Sequence, residues 1–123
     1  INKQVSFLGR LSRERVCAEM LKADCFVLTS NYETFGVVLI EALASGLPLI
    51  ATKCGGPEDI VNSGNGILID VNNQIQLENA MIKIINNYKQ YDKEKLRAEA
   101  QHRFGEKAFV DNALSFYEKG IKK

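Results

Sequence analysis

Four short apolar runs, each followed by a helical pattern, limit what this chain can fold into. The runs are Val5–Leu8, Cys25–Thr29, Leu47–Thr52 and Ile67–Ile69. None alternates apolar with polar residues. A continuous run of this length reads as a strand covered on both faces, which is how strands read in parallel sheets. Strand followed by helix, repeated along the chain, is the pattern of an α/β fold with a doubly wound parallel sheet.

The intervening segments read as helices for local reasons. Ser12 is placed to cap a helix running to Ala23, with Val16, Met20 and Leu21 on one face. Phe35 to Ser45 is helical, with Gly46 as its stop and Pro48 just beyond. Pro57–Val61 reads as a short helix because proline suits the first helical position. After Asp70 the pattern is helical only. Leu77, Ala80, Met81, Ile84, Ile85 and Tyr88 form an amphipathic stripe expected to be core. A more polar helix is expected from about Asp92 to Phe104, ending at Gly105. A final helix is marked by Phe109, Val110, Ala113, Leu114 and Tyr117, with a basic end from Lys119 to Lys123.

Composition narrows the function classes. The 123 residues are enough for one domain with a real core. Sixteen Lys and Arg against fifteen Asp and Glu leave a net charge of +1, which disfavours nucleic acid as the main partner. No apolar run approaches the roughly 18–20 residues that span a bilayer, and the N-terminus lacks a signal-peptide pattern. Cys17, Cys25 and Cys54 contain no C-x-x-C pair and are odd in number, so a reducing compartment is expected and a disulfide framework or zinc site is not. Cys17 and Cys25 read as packing residues, Cys54 as a residue of a cleft loop, and His102 as a surface histidine.

Doubly wound sheets bind ligands at the carboxyl ends of their strands. Those ends carry Gly9-Arg10, Ser30–Glu33 and Lys53–Gly56. The second group leads through Thr34, Phe35 and Gly36 into a helix. A helix N-terminus presents unpaired N–H groups and the positive end of the macrodipole, a natural phosphate site. Gly36 is expected to let a ligand approach the backbone. Glu33 precedes this helix and Glu41 lies inside it. A diphosphate on the helix end would put Glu33 near a group on one side and Glu41 near a group on the other, each a strong acceptor for hydroxyls. Two glutamates eight apart arise about once by chance in this composition. The information lies in the order: strand, loop carboxylate, helix-start glycine, second carboxylate.

That order resembles a known family. Glu33-Thr-Phe-Gly-Val-Val-Leu-Ile-Glu41-Ala-Leu-Ala-Ser-Gly46-Leu-Pro48 is similar to the E-x7-E signature of the family 4 (group 1) glycosyltransferases, which have the GT-B fold. Phe7-Leu-Gly9 resembles that family's F-x-G strand end. Ala23–Ser30 resembles its A-D strand, with Thr29 where proline is usual. Gly55-Gly-Pro-Glu58-Asp-Ile resembles its G-G-x-x-E turn, and Gly64-Asn-Gly66 the glycine before the next strand. The likeness runs in register from about Val5 to Asp70.

The resemblance implies the C-terminal, Rossmann-like half of a GT-B fold, with its first strands missing and C-terminal helices following. Residues 1–123 would form a partial nucleotide-sugar-binding domain, with 74–123 as a helical segment. It implies a retaining transfer of a sugar (of hexosyltransferase type) from a nucleotide-diphosphate sugar to a glycan, lipid or small molecule, usually without a bound metal or other cofactor. Glu33 would contact the transferred sugar as the catalytic residue. Glu41 would hold the ribose hydroxyls, and the amides of Phe35, Gly36, Val37 and Val38 would face the sugar and diphosphate. Gly9 and Arg10 would border the base, and Gly55-Gly56 would shape the cleft. The partners implied are the donor, a separate N-terminal GT-B domain and a glycan or lipid-linked acceptor. That other domain carries the acceptor site, so the fragment alone is expected to be inactive. The family's basic pair for the diphosphate has no counterpart here; Arg10 and Lys53 are stray positive charge. A cytoplasmic location is expected, and the basic chain end is compatible with a peripheral position at the inner face of a membrane. The alternatives are a non-catalytic nucleotide-binding domain and a receiver-like signalling domain. The latter needs an acidic cluster at the strand ends, where Gly9, Ser30 and Thr52 stand instead. A dinucleotide-binding oxidoreductase would need G-x-G-x-x-G after a strand, and neither Gly9 nor Gly55-Gly56 begins one.

Overall fold

The computed structural model describes residues 4–32 and 36–105. Helix α1 (Arg13–Lys22) is followed by β1 (Phe26–Leu28), α2 (Val37–Ala44), β2 (Leu49–Thr52), α3 (Pro57–Ile60) and β3 (Gly66–Ile69). Two longer helices close the order, α4 (Gln74–Asn86) and α5 (Lys93–Phe104), with a 3₁₀ turn at Tyr88–Gln90 between them. The strands form one parallel sheet in the order β1-β2-β3. Leu49 pairs with Phe26 on one side and with Gly66 on the other. The glycine is required there, because a Cβ on Gly66 would lie 2.1 Å from the Leu49 carbonyl oxygen.

Strand β2 is central and wholly buried. Its alternating side chains feed two cores. Leu49 and Ala51 face Leu39, Leu43, Leu47, Ile60, Leu96 and Ala100 on the side of α2 and α5. Ile50 faces Ile69, Ala80 and Ile84 on the side of α4, with Leu77 and Tyr88 packed at the rim. Helices on both faces of a parallel sheet are the expected α/β arrangement. At about 25 cal/mol per Å² of apolar surface, these fully enclosed leucines and isoleucines are the main source of stability.

Most local signals operate as read. Ser12 caps α1, its hydroxyl accepting from the Arg15 amide at 3.2 Å. Asn73 and Asp92 cap α4 and α5 in the same way. Gly46, at φ +86°, ends α2 in a Schellman motif: its amide donates to Leu43 at 2.9 Å and the Leu47 amide to Ala42 at 3.1 Å.

Three expectations are corrected. Val5–Leu8 forms no strand; Val5, Phe7 and Leu8 are exposed, Phe7 at 85%, and no described strand lies beside them to take their backbone hydrogen bonds. Helix α2 begins at Val37, two residues later than the pattern implied, because Gly36 takes a left-handed conformation at φ +65°. The stripe on α4 is only partly core: Ala80 and Ile84 are buried, whereas Met81 and Ile85 are exposed at 45% and 72%. The sheet is narrow and touches one line of that helix, so a wide apolar face outruns it. The last helix expected, Phe109 to Tyr117, and the basic end lie outside the described residues. No described helix is long and apolar enough to cross a membrane.

Candidate functional site

The carboxyl ends of the strands gather the residues of interest. Thr52, at the end of β2, is buried and donates its hydroxyl hydrogen to the Ser30 carbonyl at 2.5 Å. That bond ties the loop after β1, the one leading to Glu33, to the centre of the sheet. Glu33 and Phe35 lie outside the described residues. Lys53, next along, makes an exposed ion pair with Asp70 at 3.6 Å, so its charge is already partnered. Cys54, expected on a cleft loop, is buried, with the Thr52 hydroxyl 3.4 Å from its sulfur. Gly55 takes φ +119°, and its amide donates to the Glu58 carboxylate at 3.3 Å, so Glu58 closes its own turn.

Helix α2 starts without a cap. Gly36 has no side chain to offer, and no other side chain takes its place among the described residues. The first amides of a helix have no acceptor within it. Those of Val37 and Val38 therefore stand at the positive end of the dipole. Gly36 is packed on the side where a Cβ would stand. A Cβ there would lie 2.8 Å from Ile60 Cδ1 and 3.7 Å from the Gly56 backbone, so packing and positive φ both demand glycine.

Glu41 is the outstanding side chain of this helix. It is only 8% exposed, among Leu39, Ile40, Ala42, Leu43 and Ala44, all of them buried. A buried carboxylate needs a partner. It has one on α1: Arg13 Nη2 lies 3.1 Å from Glu41 Oε2. Burial raises the Glu41 pKa above its usual value, and the Arg13 charge opposes that rise. The neighbouring Cys17 thiol is pushed up by burial and by the Glu41 charge, so it stays protonated. Glu41 stands four residues into α2, about 6 Å from Val37 at 1.5 Å per residue.

Arg13 was not among the candidates read from the sequence. A signal for it existed. A cation in the first turn of a helix opposes the macrodipole, at a cost of about 0.3–1 kcal/mol at the surface, so its presence there asks for a reason. The pair with Glu41 also brings Gly9 and Arg10 close along the chain, since they lead directly into α1. Gly9 takes φ +70° with open space around it, and Arg10 is exposed. His102 is on the surface as expected.

The model of the family described as glycosyl transferases group 1 matches residues 1–109. The chain belongs to the group 1 glycosyltransferases. An uncharacterized glycosyltransferase of Methanocaldococcus jannaschii is 39% identical over 84 residues, covering 68% of this chain and 24% of that protein. Among solved structures, a sucrose-phosphate synthase of Thermosynechococcus elongatus matches with a TM-score of 0.79 at 27% identity, over 98% of this chain and 31% of that one. HepE of Anabaena, in complex with UDP-glucose, matches with a TM-score of 0.74 at 27% identity, over 99% of this chain and 33% of its own. This glycosyltransferase chain thus spans about a quarter to a third of the length of these relatives. Family and fold class, a GT-B-type parallel α/β sheet, are those the sequence led us to expect.

Proposed function

We propose that this chain supplies the nucleotide-sugar donor site of a retaining glycosyltransferase. The observation that carries the reading is α2: a helix start with no side-chain cap among the described residues, one turn away from a nearly buried carboxylate. A nucleoside diphosphate laid across it has its phosphates at the Val37 and Val38 amides and its ribose hydroxyls at Glu41. The amides face the oxygens on which negative charge grows as the bond between the anomeric carbon and the diphosphate breaks. The acceptor hydroxyl oxygen bonds to that carbon, and its proton passes to the departing diphosphate oxygen. Glu33 contacts the sugar, Phe35 and Gly36 lie along it, and Gly9 and Arg10 border the base. A separate N-terminal domain brings a glycan, lipid-linked or small-molecule acceptor, and this chain alone is inactive. The UDP-glucose complex of the Anabaena relative supports the choice of ligand class. Family membership weighs against the receiver-like alternative.

The test is nuclear magnetic resonance of the labelled chain with UDP, GDP and ADP. Amide shifts concentrated on Val37–Glu41 and Gly9–Arg13 are expected with at least one nucleotide. Shifts scattered elsewhere, or none at millimolar nucleotide, would sink the reading. In the full-length protein, Glu41→Gln is expected to weaken nucleotide binding, whereas Glu33→Gln lowers turnover.

A further inference from the structure

We propose that Arg13 is a positioning residue for Glu41: its guanidinium fixes the direction of the carboxylate and pairs its charge, leaving one oxygen for the ligand. The inference rests on the donor reading of α2 given above.

Three observations carry it. First, the pair is one-sided. The contact falls on one oxygen: Arg13 Nη2 lies 3.1 Å from Glu41 Oε2. A carboxylate held by one oxygen keeps its other lone pairs available to a hydroxyl donor. Second, the pair bridges two separate elements, α1 and α2. Farther along, the same helices meet through Ser45 and Met20, whose hydroxyl and sulfur are 4.0 Å apart. Third, Arg13 sits in the first turn of α1, where its charge opposes the helix dipole, so its position is explained by Glu41 and not by its own helix.

Among the described residues no other charge competes at Glu41. Helix α1 brings only Arg13 and the neutral Cys17 thiol to it. Helix α5 brings Lys93 and Arg97 to the far end of α2, at Gly46 and Ser45. Helix α3 carries Glu58 and Asp59, both exposed. Strands β1 and β2 carry no titratable side chain. Among the described residues, burial and Arg13 are the influences that set the protonation of Glu41.

The experiment compares wild type, Arg13→Gln and Arg13→Lys in the full-length protein. The first readout is the Glu41 side-chain carboxyl, followed by carbon NMR without ligand as pH is varied. Arg13→Gln is expected to move its titration to higher pH, and Arg13→Lys to keep it near wild type. The second readout is nucleotide affinity against pH, with UDP, GDP and ADP as probes. Arg13→Gln is expected to weaken the best of them roughly tenfold at neutral pH, with the acid limb of binding moving up alongside the carboxyl titration. The lysine variant is expected to restore most of both. A lower unfolding temperature with an unmoved carboxyl titration overturns the proposal, because a structural pin would behave that way. A moved titration with unaltered nucleotide affinity also overturns it. A wild-type protein that binds none of the three nucleotides, while the titration moves as expected, instead overturns the donor reading, and Arg13's role in it falls too.

Discussion

The two ends of α2 begin from the same device and serve opposite ends. Each is bounded by a glycine in the left-handed region, Gly36 at φ +65° and Gly46 at φ +86°. At Gly46 the helix is closed by backbone hydrogen bonds. The last carbonyls accept from Ser45, Gly46 and Leu47, and the Arg97 guanidinium of α5 lies against the glycine. At Gly36 no side chain among the described residues caps the first amides, and one turn on a carboxylate is buried with the Arg13 cation beside it. Helices α1, α4 and α5 carry a side-chain cap on their first turn, whereas α2 and the short α3, both starting at a glycine, show none among the described residues. A satisfied helix end reports structure. The other end, beside a buried charge, is where we propose that the donor binds.

That contrast can be broken by mutation. The largest effect belongs to the satisfied end. Leu43→Ala removes a fully buried side chain from the main core and is expected to cost about 2–5 kcal/mol in denaturant unfolding. Nucleotide affinity of the molecules that remain folded should be unchanged. A selective loss of affinity without loss of stability would erase the distinction.

Gly36→Ala is expected to cost about 1–3 kcal/mol, from positive φ and from displacement of Ile60. Unlike Leu43→Ala, it should also weaken nucleotide binding, because it shifts the first amides of α2. The two measurements on one variant sharpen the contrast between the ends.

The smallest effect concerns pH. Burial raises the Glu41 pKa in the folded state above its ordinary value of 4.5. The folded protein then holds that proton more tightly than the unfolded chain does. The stability linked to this group is fully present below 4.5, declines as pH rises through the folded-state value, and is level beyond it. Glu41→Gln is expected to flatten that part of the stability curve, read from urea midpoints between pH 4 and 8. An unaltered slope would mean that Glu41 is not titrating from a buried site.

Much of the fold was legible because its signals are local. Ser12, Gly46, Pro57 and the apolar runs each act within a few residues of themselves. Val5–Leu8 misled because a strand is made by its neighbours, and an apolar run carries no record of whether a partner lies beside it. Met81 and Ile85 misled for a related reason: periodicity gives the width of an apolar face but not the width of what covers it. Glu41 was legible from its own helix and the family pattern. Arg13 was not, because the contact that gives it meaning crosses 28 residues of sequence and two elements.

One feature of the far side bears on when the molecule is assembled. The four-residue helix α3 ends in carbonyls that a helix cannot satisfy within itself. Arg103 of α5 takes them, donating to Asp59 at 2.7 Å and to Ile60 at 3.0 Å. Ile60 is the residue that fills the space against Gly36. The packing behind the start of α2 is therefore finished by a contact between positions 43 residues apart, the kind of closure that comes late in folding. The surface we assign to the donor therefore has its backing only once α5 has packed against α3.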